Sequence, residues 1–194
     1  MECAPFVHEC RDEYLAEAAL PLRTLGVYES HLRTAVLALK QGRRDVARAA
    51  ALHLAERVSD LEWLPGAVLI PLPTAAHRVR LRGVDGAALL AGTIAERLEL
   101  RVERALRARS FWGQRGRNRS QRLEAAGRIA VRRATDLQGL EVVLIDDVVT
   151  TGATLREAAL ALRSCGATVR GALALARTLL DGGEGGKERA DLYV

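Results

Sequence analysis

Residues 142–154 read VVLIDDVVTTGAT. Val142, Val143, Leu144 and Ile145 form an unbroken apolar run, the pattern of a strand buried on both faces of a parallel sheet. Two adjacent carboxylates, Asp146 and Asp147, follow at its carboxyl end. Thr150, Thr151 and Gly152 then turn into a helix expected over 153–165 and closed by Gly166. Open α/β sheets bind ligands at the carboxyl ends of their strands. A helix N-terminus there offers unpaired N–H groups and the positive end of the helix dipole, which suits a phosphate. Gly152 allows close approach of the backbone, and Thr150, Thr151 and Thr154 add hydroxyl donors.

Carboxylates repel phosphate, so the two acids need a different partner. They accept hydrogen bonds from hydroxyls, and a ribose carries a cis-diol close to its phosphate. The unit therefore describes a holder for ribose 5-phosphate. A Walker B strand shares the apolar run and the acids, but the chain has no G-x-x-x-x-G-K-[ST]. A plain strand and an acid-stabilised helix start would explain any one of these residues, but not the unit as a whole.

Outward from this stretch, Ala67–Ile70 is a short apolar run stopped by Pro71 and Pro73, and Asp85 is suited to cap a helix through Leu98. Strands are expected over 101–109, 129–131 and 168–176, with a Gly-, Arg- and Asn-rich loop over 110–119 and a short helix over 120–126. Upstream, helices are expected over 10–20 (ending at Pro21), 30–41 (closed by Gly42) and 46–58 (capped by Asp45). The fold class is α/β, a parallel sheet flanked by helices, with a small helical N-terminal segment. The expected division is a helical segment at 1–60 and an α/β domain at 61–194.

Composition fits a globular protein: 49% hydrophobic and 27% charged among 194 residues. No apolar run reaches membrane-span length, and the acidic N-terminal stretch lacks the apolar core of a secretory signal. The expected location is the cytoplasm, including the inner face of the cell membrane. Cys3, Cys10 and Cys165 are too few for a disulfide framework. Cys3, His8 and Cys10 are half of a zinc set at most, so no zinc site is expected; Cys165 reads as a small buried hydrophobe. The net charge is +5, and residues 101–133 carry eleven arginines against Glu103 and Glu124. That block is +9, which leaves −4 for the remainder and points to an anionic partner.

VVLIDDVVTTGAT resembles the phosphoribosyl pyrophosphate (PRPP) signature of type I phosphoribosyltransferases. Three further stretches, LGVYESHLRTAVLALKQGR (25–43), IPLPTAAHRVRLRGVDGAALLAGTIAERL (70–98) and Gln114 to Arg122, extend the likeness to the competence protein F (ComF) family over roughly 25–178. The resemblance implies a type I phosphoribosyltransferase fold, PRPP as ligand, and a role in DNA uptake during natural transformation beside a helicase-like import ATPase. By position it assigns Asp146, Asp147 and Arg82 to the chemistry, and Asp146, Asp147, Val148, Val149, Thr150, Thr151, Gly152, Ala153, Thr154, Pro73, Thr74 and Arg78 to PRPP binding. It makes Gln114–Arg122 a flexible loop that closes over the ligand. The chain departs from the family at Cys3 and Cys10, where a four-cysteine module is usual. It also has Val84-Asp85 in place of Phe-Asn, and Ala125 near an expected Asn.

Two readings of different class remain open. In the first, a PRPP-dependent enzyme works with Mg2+ held through PRPP and Asp147, and the acceptor is unnamed; base-salvage and amido-type transfer both belong here. In the second, Phe111 and Trp112 stack bases beside Gln114, Arg115, Arg117, Arg119 and Arg122, and the protein handles single-stranded DNA without transfer. A PRPP-sensing regulator would need a DNA-reading domain that the sequence does not display. A homo-oligomer is compatible with either reading.

Overall fold

The computed structural model describes residues 10–74, 79–81, 83–108, 129–133 and 135–179. Its strands are β1 (Arg11–Leu15), β2 (Leu20–Thr24), β3 (Val68–Pro71), β4 (Arg101–Val102), β5 (Leu106–Ala108), β6 (Ile129–Val131), β7 (Glu141–Val149) and β8 (Thr168–Arg177). Its helices are α1 (Ser30–Lys40), α2 (Arg44–Val58), α3 (Gly86–Leu98) and α4 (Ala153–Arg163). Six strands form one sheet in the order β1-β2-β8-β7-β3-β4. All its neighbours run parallel except the β1–β2 hairpin. β5 and β6 pair antiparallel in a second, small sheet.

Alternation along the central strands decides which helix covers which face. Leu69, Val143, Ile145, Leu173 and Leu175 point to one side and pack under α1, α2 and α3. Val68, Ile70, Val142, Leu144, Ala172 and Ala174 point to the other, under α4 and the β5–β6 pair. Fully burying each such Leu, Ile or Val side chain is worth about 1.5–3 kcal/mol. Helices on both faces of a mostly parallel sheet are the α/β architecture expected from the sequence.

Four local expectations are corrected. Residues 10–20 are not a helix. β2 alternates, with Leu20, Leu22 and Thr24 buried, and Pro21 lies within it rather than ending a helix. β1 conceals its strand character because it is an edge: Arg11, Asp12 and Tyr14 are exposed, Glu13 is half-buried, and only Leu15 is buried. Arg23 fastens this hairpin to the end of α2 through Asp12 and Asp60, both at 2.7 Å. Second, Asp45 does not cap α2. Arg43 is the N-cap residue, and Asp45 sits in the first turn paired with that arginine at 2.7 Å. Third, Cys165 is exposed, because α4 stops at Arg163 and Leu162 and Ala167 take the inward positions. Fourth, residues 101–109 split: β4 extends the main sheet beside β3, while β5 crosses to pair with β6.

Cys3, His8, the 110–119 loop and the 120–126 helix lie outside the described residues.

Candidate functional site

β7 runs past Ile145 to Val149, so Asp146 and Asp147 belong to the strand itself. Its partner β8 is equally long, and the ladder continues through Asp146↔Ala174 and Val148↔Ala176. On the other side β3 ends opposite Ile145, where the Leu72 N–H donates to the Ile145 carbonyl at 2.8 Å. The two acids therefore stand where one neighbour has left the sheet, and Pro71–Thr74 departs beside them.

Each acid accepts from the next backbone N–H: Asp147 N–H to Asp146 Oδ1 and Val148 N–H to Asp147 Oδ1, both at 2.8 Å. Burial pushes the Asp146 carboxyl well above the usual carboxylate range, and the Asp147 charge adds to the push. Lys40, at the end of α1, acts in the opposite direction.

The turn after β7 is braced by residues at the end of β8. Gly152 is the N-cap of α4 in the left-handed region, φ +77°, and has no side chain to cap the helix. Thr151 Oγ1 accepts from the Ala153 N–H at 3.3 Å. Thr178 donates to the Val149 carbonyl through its N–H and its hydroxyl, at 3.0 and 3.2 Å. The Arg177 guanidinium donates to the Thr150 carbonyl. Thr151 and Thr154 are exposed and Thr150 is half-buried, so their hydroxyls remain within reach of a ligand.

Pro71–Thr74 is anchored to α3. Thr74 Oγ1 donates to Asp85 Oδ1 at 3.1 Å, and the same oxygen accepts the Ala88 N–H at 3.4 Å as the N-cap of α3. Asp85, one of the departures noted in the sequence, thus ties the loop to the helix. Asp85→Ala is expected to cost about 1 kcal/mol of stability, the usual loss of an N-cap. A thermal melt measures this, and an unchanged melt would show that the cap is not needed.

The structure brings Asp146 and Asp147, the Val148–Thr154 turn, Pro73 and Thr74 to the carboxyl edge of the sheet. Arg78, Arg82, His77, Phe111, Trp112, Gln114, Arg115, Arg117, Arg119 and Arg122 lie outside the described residues. A cavity of about 200 Å³ opens between Pro71–Thr74 and the β5–β6 pair, and Arg104, Arg107 and Arg132 line it. Sequence reasoning does not single these three out as site residues. The charge count puts them in a basic block, but only strand pairing unites them. Leu106 stands opposite Val131, and Arg132 bonds the Ala105 and Leu106 carbonyls at 2.7 and 3.1 Å. Among the described residues no salt bridge engages any of the three. A larger groove of about 460 Å³ runs along the outside of α3 and includes none of residues 146–154.

Two carboxylates, a helix start with glycine at its N-cap and an arginine-lined cavity, all at one sheet edge, can together take a ligand that joins hydroxyls to phosphates. Among solved structures, the chain is similar to orotate phosphoribosyltransferase from Aeropyrum pernix, with 24% identity over 75% of this chain and 65% of that one and a TM-score of 0.41. It is similar to glutamine PRPP amidotransferase from B. subtilis, with 20% identity, 66% and 26% coverage and a TM-score of 0.45. It is also similar to adenine phosphoribosyl transferase from Trypanosoma brucei, with 13% identity, 95% and 100% coverage and a TM-score of 0.47. The chain spans about a quarter of the amidotransferase and 65% of the orotate enzyme. No curated protein matches it. The family model for the phosphoribosyl transferase domain matches residues 84–193, from the start of α3 through β7, the turn and β8, which is more than half of the sequence. By that match the chain belongs to the phosphoribosyl transferase domain family.

Proposed function

We propose that the chain binds PRPP and transfers its phosphoribosyl group to a nitrogen acceptor. The observation that carries this reading is the position of Asp146 and Asp147 beside a helix start with glycine at its N-cap, with Pro71–Thr74 leaving the sheet next to them. In this reading the two carboxylates accept from the ribose hydroxyls. The Val148–Thr154 turn takes the 5-phosphate on its amides and threonine hydroxyls. Pro73 and Thr74 flank the diphosphate, and Arg104, Arg107 and Arg132 offset its charge, joined by Arg78 and Arg82. Carboxylate and phosphate oxygens are the hard donors that Mg2+ takes, so Asp147 and the bound diphosphate would hold the ion. Bound there, Mg2+ supplies neutralisation of the departing diphosphate charge. In the transfer, the C1–O bond to diphosphate breaks and its electron pair leaves with the diphosphate. A C1–N bond to the acceptor then forms, and the acceptor nitrogen gives up its proton. The carboxylates favour the positive charge that develops on the ribose ring.

The acceptor is a nucleobase or an amine. Incubation with PRPP, Mg2+ and each acceptor in turn, following diphosphate release, tests the reading. Release that depends on one acceptor is expected. Absence of release with every base and with ammonia would reduce the reading to PRPP binding.

The likeness to the competence protein F family in three stretches outside the signature supports a place for this activity in DNA uptake, beside an import ATPase. A second reading is favoured by a specific observation. Arg101, Arg104, Arg107, Arg132 and Arg133 are all exposed, and in sequence they flank residues 109–128, which include Phe111 and Trp112. Such a surface suits a single strand. If it binds one, affinity falls steeply with salt, and changing Arg115, Arg117 and Arg119 together to Ala weakens binding and lowers the salt slope by up to three phosphate contacts' worth. Unchanged affinity in that variant would remove the second reading.

A further inference from the structure

We infer that Arg177 and Glu13 are positioning residues for the phosphate turn, through which the N-terminal β1–β2 hairpin holds the start of α4 in shape for its ligand. The inference rests on the reading of 148–154 as the 5-phosphate site. That turn holds itself only weakly. Its N-cap is Gly152 at φ +77°, which has no side chain to offer α4, and its own side-chain contact with the first turn is the 3.3 Å bond from the Ala153 N–H to Thr151 Oγ1. Its supports come from behind, and two belong to the hairpin.

Arg177 closes β8. Its backbone is fixed on both sides: its N–H donates to the Gly26 carbonyl at 2.9 Å, and its own carbonyl accepts the Tyr28 N–H at 2.8 Å. From that fixed origin the guanidinium forks. Nε donates to Glu13 Oε2 at 3.1 Å, and Nη1 donates to the Thr150 carbonyl. The side chains of Arg177 and Glu13 are only 14% and 29% exposed, so water screens the pair less than a surface one. The second support is Leu15, whose Cδ1 lies 3.5 Å from where a Cβ on Gly152 would stand. The hairpin also grips the far end of α4, since Arg163 donates to the Ala18 and Ala19 carbonyls at 3.2 and 3.0 Å. One hairpin thus clamps α4 at both ends.

The consequence is chemical. A carbonyl that turned toward the site would repel a phosphate. Arg177 holds the Thr150 carbonyl dipole away from the site, and Glu13 fixes the guanidinium that does so. Amides held in their binding arrangement before the ligand arrives spare the ligand the cost of ordering them.

The test uses the full chain and the variants Arg177→Met, Arg177→Lys and Glu13→Gln, with two readouts. The first is amide hydrogen exchange. In Arg177→Met, exchange over 150–155 is expected to accelerate about tenfold or more while that of Val142–Ile145 stays unchanged. The second is calorimetric titration with PRPP and Mg2+, where affinity falls about tenfold. Lys reaches one partner of the fork but not both, so Arg177→Lys falls between native and Met. Gln keeps an acceptor for Nε, and Glu13→Gln loses less than Arg177→Met. Unchanged exchange over 150–155, or a rise shared equally by the core strands, overturns the inference, as does native PRPP affinity in Arg177→Met. If the native chain binds no PRPP, the ligand reading fails instead, and the exchange readout alone decides the brace.

Discussion

Gly171→Val is expected to lower the melting temperature by about 6–12 °C, the result of roughly 3 kcal/mol of overpacking in a domain of this size. Gly171 lies in β8, opposite Val143 of β7. A Cβ there would stand 2.9 Å from Cη2 and Cζ3 of Trp63 and 3.1 Å from the Pro21 carbonyl oxygen. The indole could swing outward, but the carbonyl belongs to β2. Moving it strains the adjacent β2–β8 pairing of Leu22 with Ala172. Glycine is required here for room rather than for its backbone angles. Thermal melts measure the effect, and an unchanged melting temperature would mean that Trp63 does not pack over this strand. Well below the transition, PRPP affinity should match the native value. Asp146 pairs with Ala174, three residues and about 10 Å further along β8.

Sequence pattern and structure agree best where burial is two-sided. Val142–Ile145, the helices over 30–40 and 86–98 and the strand from Thr168 carry signals that no competing pattern disturbs. The end of β7 is not legible in the same way. Asp146 and Asp147 look like the close of a strand by composition, yet β8 continues beside them and keeps both in the ladder. The β1–β2 hairpin escapes a sequence reading for the opposite reason. An exposed edge strand must be polar, so Arg11–Glu13 lack the apolar alternation that identifies a strand, and Pro21 suggests a helix stop. A helix over 10–20 would conceal the hairpin's contact with the turn after β7, which joins Leu15 to Gly152 across 137 residues of sequence. The arginine cavity has the same lesson. Arg104 and Arg132 are visible as charge in the sequence, but only the pairing of β5 with β6 brings them together.

The paired acids carry a stability consequence that separates their role from that of core residues. The Asp146 carboxyl, raised above its ordinary value of 3.8 by burial and by Asp147, holds its proton more tightly folded than unfolded. It therefore costs the fold nothing below that ordinary value; the cost grows as pH rises above it and levels off once the raised value is passed. Replacing both acids with amides removes this cost. The variant Asp146→Asn, Asp147→Asn should melt no lower than the native protein at neutral pH and show a flatter dependence of stability on pH above about pH 4. That Asp146 is unfavourable for the fold yet stands at the carboxyl edge of the sheet fits the proposed role in ligand binding.

The central claim is that these carboxylates hold the ribose of PRPP, and calorimetric titration of PRPP with Mg2+ into the native chain and into the double amide variant tests it most directly. The account predicts saturable binding to the native protein and a loss of at least about a hundredfold in the variant, near 3 kcal/mol, while the variant's melt remains cooperative. Equal affinity in the two proteins, or no binding to the native chain, would contradict it.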